Sequence, residues 1–360
     1  MKKWIKNKLK YKTDQQEPIG IEPFHGVERE SEFKDFRTYE HFKGKAKWID
    51  KDSNGFPKRP ANSQIAGGEL GDAVKTIIES VTDKGAHQGG YYRYQTIKQI
   101  GEGGTATVYR ALDKRLNREV ALKRFHKKTN ITTTNSKYLK ELEVITRLDH
   151  PNIVTTHDMG SDQAGDFIVM SLINGLDLEE YLKQKLLGKV DFKEFALQIL
   201  EGCSEMHSKE VLHLDLKPSN IMVVIRPSGR ILAKIIDFGA AKIKNTKEET
   251  GLAGKRSVNG SIHFMSPEDM NKEDLDERSD IYSLGCVFYQ ALTGELPFKG
   301  DNAVLILAAH IQNHYTPLDE LITNVPRELI DLIHQMISLK PNDRPRSAGE
   351  VLHRINEMPW

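Results

Sequence analysis

The sequence predicts an α+β protein of two lobes, a small sheet-rich one followed by a larger helical one. Between residues 94 and 113, "YQTIKQIGEGGTATVYRALD" alternates apolar and polar positions on both sides of a glycine cluster, the pattern of two strands joined by a tight turn. The short apolar runs "REVALKRFH", "NIVTTHDMG" and "DFIVMSLING" follow and read as strands. After them the apolar residues recur at helical spacing almost to the end of the chain.

Taken in order, the third strand, "REVALKRFH", is followed by "SKYLKELEVITRLDH", which sets Leu139, Leu142, Ile145 and Leu148 on one helical face before "HPN" ends the helix. The two remaining strands complete the small lobe. The larger lobe is predicted from "LDLEEYLKQKL", "FKEFALQILEGCSEMHSK", "RSDIYSLGCVFYQALTG", "AVLILAAHIQNH", "PRELIDLIHQMISL" and "AGEVLHRINEM". Two lobes of different texture favour a cleft between them, a common place for small-molecule sites.

Residues 1–90 form an N-terminal extension, set off from a domain at 91–360 by the glycine-containing stretch "DKGAHQGG". Within it, "GDAVKTIIESVTDK" reads as a short amphipathic helix with Val74, Ile77, Ile78 and Val81 on one side. Six lysines fall in the first twelve residues, interleaved with Trp4, Ile5, Leu9 and Tyr11. Such a segment suits an anionic membrane surface or an acidic partner, the plain alternative being a solvated tail. The extension is expected to regulate the domain or recruit its substrates.

Bulk composition narrows the class. A hydrophobic share of 38% with 29% charged residues is that of an ordinary folded protein, neither disordered nor membrane-embedded. A net charge of +1 gives no general attraction to nucleic acid, and no specific nucleic acid is predicted. Cys203 and Cys286 both sit in apolar helical patterns, so no disulfide framework is expected and a reduced, cytoplasmic setting fits. No stretch approaches the roughly 20 apolar residues of a membrane span. Lysines occupy the place where a secretory signal needs its apolar run.

The chemistry gathers at four stretches. Gly101, Gly103 and Gly104, in a turn between strands, either make a simple hairpin or let backbone amides approach phosphate. Lys123 lies inside an apolar strand, where a buried ammonium needs an anion; Glu141 and Glu143 on the next helix are both candidates. In "VLHLDLKPSN", Asp215 is suited to accept a proton from an attacking hydroxyl or orient it, Lys217 to neutralise a phosphoryl group, and Asn220 to offer an oxygen to a hard cation. Asp237, at the end of an apolar strand in "AKIIDFGAAK", is costly there without a metal or another partner.

In this order, with "SPE" and "DIYSLG" after them, these stretches resemble the eukaryotic-type (Hanks-type) serine/threonine protein kinase domain, over residues 94 to about 358. The resemblance implies a bilobal kinase fold, ATP and Mg²⁺ as cofactors, and protein substrates. It implies that Ile100, Gly101, Gly103 and Val108 cover ATP, with Ala106 where the family's third glycine usually stands, a change that stiffens the loop. Lys123 would contact the α and β phosphates and pair with Glu141, whose distance to "HPNIV" matches the family. Asp215 would be the base or hydroxyl-positioning group, Lys217 the phosphate contact, and Asn220 and Asp237 the Mg²⁺ ligands. Met170 would stand behind adenine as gatekeeper, Ser171 to Ile173 would form the hinge, and Ala121 and Met222 would sandwich the ring.

Lys217 and Ser261 resemble the serine/threonine branch, in which a hydroxyl at position 261 bonds both the catalytic Asp and the Lys. Glu268 and Arg344 are expected as a buried ion pair, Asp280 as the support of the catalytic loop, and His213 as packing beneath Phe238. Leu214 replaces the arginine that collects activation-loop phosphate in most relatives, which places the chain with the non-RD subset. Either it merely fills an apolar gap or activity does not depend on phosphorylation of Thr246, Thr250 or Ser257. The rival to an active kinase is a kinase-shaped scaffold that signals by binding. Retention of Lys123, Glu141, Asp215, Asn220 and Asp237 favours the enzyme. The C-terminal half is most similar to bacterial kinases, many of which continue into a membrane helix and an external sensor. This chain stops at Trp360, so an external input is expected to come through another protein.

Overall fold

The structure, a computed structural model, describes residues 93–126, 141–244 and 261–360. All of these lie in the unit Ile65–Trp360. The expectations for residues 1–90 and for Thr246, Thr250 and Ser257 fall outside the described residues.

β1 (Tyr94–Glu102), β2 (Ala106–Asp113), β3 (Arg118–Phe125), β4 (Thr156–Asp162) and β5 (Gly165–Ser171) form an antiparallel sheet in the order β1-β2-β3-β5-β4. The β2–β3 turn is held by Asp113, whose carboxylate accepts from the amides of Arg115 and Leu116. Both faces of β3 are packed, which is why its middle, Val120-Ala121-Leu122, is apolar without alternation. Val120 and Leu122 face outward into a small cluster with Ala111, Phe167 and Val169, while Phe125 on the opposite face joins the main core with Ala106 and Ile168. Lys123 shares the Phe125 face and pairs in register with Val108 and Ile168, so the sheet aims its ammonium at the cleft side.

The helical segment at 141–145 buries Leu142, Val144 and Ile145 in the main core. After β5 come β6 (Leu176–Asp177), α1 (Leu178–Gln184), α2 (Lys189–Ser208), β7 (Val211–Leu212), β8 (Ile221–Ile225), β9 (Ile231–Ile235) and β10 (Lys242–Ile243). Asp177 caps α1 by accepting from the Glu180 amide at 2.8 Å. β6, β8 and β9 make a three-stranded sheet, and β7 pairs with β10. These short strands bracket the stretches 213–220 and 236–241. The helices α3 (Pro267–Asn271), α4 (Glu277–Thr293), α5 (Ala303–Ile311), α6 (Leu318–Leu321), α7 (Arg327–Met336) and α8 (Ala348–Glu357) complete the lobe.

α4 is the axis of this lobe. Asp276 caps it, every residue from Ser279 to Tyr289 is buried, and Gly294 ends it in the left-handed conformation (φ 78°). Gly285 permits the contact with α7 and the residue after it, since a Cβ there would stand 2.9 Å from Met336 Cβ and 2.7 Å from Ile337 Cγ2. Phe192 and Phe195 of α2 meet Phe288 edge-on, locking α2 to α4. No helix among the described residues is long and apolar enough to cross a membrane.

Candidate active site

The roof of the cleft is the β1–β2 turn. Gly103 donates to the carbonyl of Ala106 at 2.8 Å and closes it. The protein itself does not require glycine here. A Cβ on Gly101 would reach Val108 only at 3.8 Å, one on Gly103 would stand 3.7 Å from the Ala106 carbonyl oxygen, and one on Gly104 would meet nothing within 4 Å. What these glycines keep clear is the space around the turn, as close approach by a ligand needs. Val108 is half-buried beneath the turn and Ile100 is exposed on β1.

Lys123 donates to Glu141 Oε1 at 2.5 Å and to Asp237 Oδ1 at 2.7 Å. The helix decides between the two sequence candidates: Glu141 is buried on the ammonium, whereas Glu143 reaches Arg147 at 3.3 Å. Burial opposes the charge on Lys123, and the carboxylates of Glu141 and Asp237 more than offset it, so its pKa rises above the ordinary lysine range.

The stretch 213–220 hangs from Asp280 on α4. This fully buried carboxylate accepts from the amides of His213 at 2.9 Å and Leu214 at 2.8 Å and from His207 Nε2 at 2.9 Å. Burial opposes its charge, but the hydrogen bonds from the His207 ring and the His213 amide help to outweigh it, and its pKa lies below the usual carboxylate range. His213 packs against Phe238 with ring centroids 5.1 Å apart. Its Nδ1 accepts from the Asp215 amide, so its proton sits on Nε2 and points at the Ile236 carbonyl. Leu214 is buried and left-handed (φ 60°), with its amide on Asp280.

From this support Asp215 faces the cleft, about one-fifth exposed, with a side-chain accessibility of 20%. Lys217 Nζ donates to Asp215 Oδ2 and to Ser261 Oγ, both at 2.8 Å. The expected direct bond between Ser261 and Asp215 is not made, because the ammonium lies between them and joins the two. Asn220 Nδ2 donates to the Asp215 carbonyl at 2.8 Å and to its Oδ2 at 3.0 Å. With its nitrogen so committed, the amide keeps Oδ1 as an oxygen donor.

Asp237 lies two residues past β9, in the left-handed conformation (φ 61°), rather than at the end of the strand itself. Its side chain is 47% exposed to the cleft. The Lys123 charge is the chief cause that pushes its carboxyl down to about 2, against the effect of burial. Gly239 N donates to its Oδ1 at 3.2 Å.

Met170, next to last in β5, lies opposite Ala121 and packs against the main core, as does Ile173. The Ser171 amide donates to the Thr155 carbonyl, and its hydroxyl shares a hydrogen bond with His157. Met222 is half-buried on β8 and Ala121 is buried on β3. The structure therefore brings Lys123, Glu141 and Asp237 into one ionic group and Asp215, Lys217, Asn220 and Ser261 into one hydrogen-bonded group. Three contributors escaped the sequence reading. His207 bonds Asp280 from 73 positions away, Gly239 bonds Asp237 through its amide two residues on, and His126 binds the glycine turn at Thr105 and Thr107.

Residues 94–360 match the protein kinase domain family. A probable serine/threonine-protein kinase of Clostridium acetobutylicum is 36% identical over 270 residues, covering 74% of this chain and 40% of that protein. Serine/threonine-protein kinase PrkC of Bacillus subtilis is 35% identical over 265 residues (72% and 39%), and PknB of Mycolicibacterium smegmatis is 31% identical over 280 (74% and 43%). The matched part of the chain thus spans about two fifths of the length of these relatives. The ordered motifs, the two groups of side chains built from them and the match over residues 94–360 together say that this chain belongs to the protein kinase domain family.

Proposed function

We propose that this chain is an ATP-dependent serine/threonine protein kinase, transferring the γ-phosphoryl group of ATP to hydroxyls of protein substrates. The observation that carries the reading is Lys217 held between Asp215 and Ser261 at 2.8 Å on each side. Asp215 orients the incoming hydroxyl and accepts its proton. Lys217 offsets charge on the phosphoryl group while Ser261 and Asp215 fix where its ammonium stands. Lys123, kept charged and aimed by Glu141, contacts the α and β phosphates.

The donor set suits Mg²⁺. Asn220 Oδ1 and the cleft-facing Asp237 carboxylate are hard oxygens, and the charge on Lys123 keeps Asp237 deprotonated. Mg²⁺ held by these two residues supplies charge neutralisation to the phosphates; every other role above belongs to the chain's own side chains. Activity is proposed not to need activation-loop phosphorylation, since Leu214 offers no cation there. A cytoplasmic setting is proposed on the two buried free thiols, Cys203 and Cys286.

The deciding experiment follows transfer of radiolabelled phosphate from ATP to the protein itself or to a generic substrate, with Asp215→Asn as comparison. Loss of about 10²- to 10⁴-fold in the variant is expected for removal of a positioned base. Equal labelling by both proteins defeats the assignment.

A further inference from the structure

We propose that His126 is a positioning residue for the phosphate side of the cleft, fastening the glycine-rich turn to the end of β3 before nucleotide arrives. This inference rests on the kinase reading above and adds to it a residue outside the motifs.

The β2–β3 ladder registers Ala106 with Phe125, Thr107 with Arg124 and Val108 with Lys123. It then runs one step past both strands, where the His126 amide donates to the carbonyl of Thr105 at 2.9 Å. Thr105 belongs to the turn itself. Side-chain alternation places Thr107 and His126 on the face opposite Val108 and Lys123, away from the nucleotide. There Thr107 Oγ1 shares a hydrogen bond of 2.8 Å with His126 Nε2, and Thr107 is buried. On the other face Ala106 and Phe125 are both buried in the main core. Ala106 thus gives the turn an apolar anchor, and Thr105 and Thr107 give it two polar ones.

Only Gly103 and Gly104 are left to set the shape of the roof, and they are closed by the hydrogen bond from Gly103 to Ala106. A turn held in this way loses less freedom when phosphate oxygens arrive, so its amides bind them more tightly than a loose turn would. His126 touches neither the adenine side nor the reacting atoms. Its effect is confined to the part of the ligand beneath the turn.

The test uses the full chain and calorimetric titration with Mg-ADP and, separately, adenosine. His126→Ala and Thr107→Val should each weaken Mg-ADP binding by about five- to tenfold, the worth of one net hydrogen bond. Adenosine affinity should not change. The double variant should be no weaker than either single one, because both remove the same bond. His126→Gln, whose amide can reach the Thr107 hydroxyl, should recover part of the loss. Unchanged Mg-ADP affinity in both single variants overturns the proposal, as does an equal loss for adenosine, which marks general loosening of the lobe. Failure of the wild-type chain to bind Mg-ADP at all overturns the kinase reading and this inference with it.

Discussion

Glu268 holds Arg344 through two parallel hydrogen bonds, at 2.7 and 2.9 Å, with both side chains buried. The remaining donors of the guanidinium are also matched: Nε to the Ser338 carbonyl, Nη1 to Arg278 and Nη2 to Leu339. All five N–H groups therefore have acceptors, and Ser279 donates to Glu268 from the other side. Removing either partner leaves a buried charge uncompensated, at a cost of about 3–5 kcal/mol. Arg344→Ala and Glu268→Ala should each lower the urea midpoint by a corresponding amount. Arg344→Lys should rescue little, since a single ammonium cannot reproduce the fork. Wild-type midpoints in these variants would show that the pair is dispensable.

His310 gives the larger lobe a pH dependence. It is fully buried, packs tilted against Phe298 with centroids 4.1 Å apart, and bonds the Tyr282 hydroxyl through Nδ1 at 2.7 Å. Burial, with a smaller effect of His263, pushes its pKa down to about 3. The unfolded chain takes up that proton near pH 6.5 and the folded one does not, so protons favour unfolding throughout this window. The stability it preserves is complete above about pH 6.5 and is lost progressively toward pH 3, at about 1.4 kcal/mol per pH unit. Between pH 7 and pH 5, His310→Phe should lose about 2 kcal/mol less than the wild type in denaturant titrations. Identical pH profiles would remove His310 from this role.

Much of this was legible in the chain, for reasons that differ by residue. Lys123 stood out because a charged residue inside an apolar strand must meet an anion, and the spacing Asp215-Lys217-Asn220 names its chemistry directly. The choice between Glu141 and Glu143 was not fixed by the residues themselves, because two positions on a helix differ by about 200° and only packing says which face turns inward. Asp280 depends on His207, 73 positions away, a contact no local pattern records. β8 went unread because "IMVVI" is a five-residue apolar run with no periodicity to tell strand from helix. α3 and α6, at five and four residues, are too short to show a helical repeat.

Leu214 sets the regulatory prediction. It is 8% exposed, its backbone is left-handed, and its amide is held by Asp280 at 2.8 Å. The catalytic stretch is thus positioned from within the lobe, and an aliphatic side chain at this place has nothing to offer a phosphate. Replacing Thr246, Thr250 and Ser257 together with alanine should leave turnover of a peptide substrate within about twofold of wild type, a change of about 0.5 kcal/mol or less. A collapse of turnover would mean that the loop must be phosphorylated after all.

Gly239 stands beside the ionic group of Lys123, Glu141 and Asp237. A Cβ on Gly239 would stand 3.2 Å from Asp237 Oδ1, 3.5 Å from Glu141 Oε2 and 3.6 Å from Lys123 Nζ. The first of these is tighter than ordinary contact, so in Gly239→Ala the Asp237 carboxylate must move by a few tenths of an ångström. That movement would strain its bond to the Gly239 amide and disturb its alignment with Lys123. The fold should tolerate the change within about 1 kcal/mol, because no core volume is lost and Gly239 is exposed. Turnover should not, since a 1 Å misplacement costs about 10²-fold and this smaller one is expected to cost about tenfold. Measuring turnover beside the thermal midpoint separates the two effects. Wild-type turnover with an unchanged midpoint would show that the carboxylate has room to spare, and that the spacing at Gly239 does not constrain phosphoryl transfer.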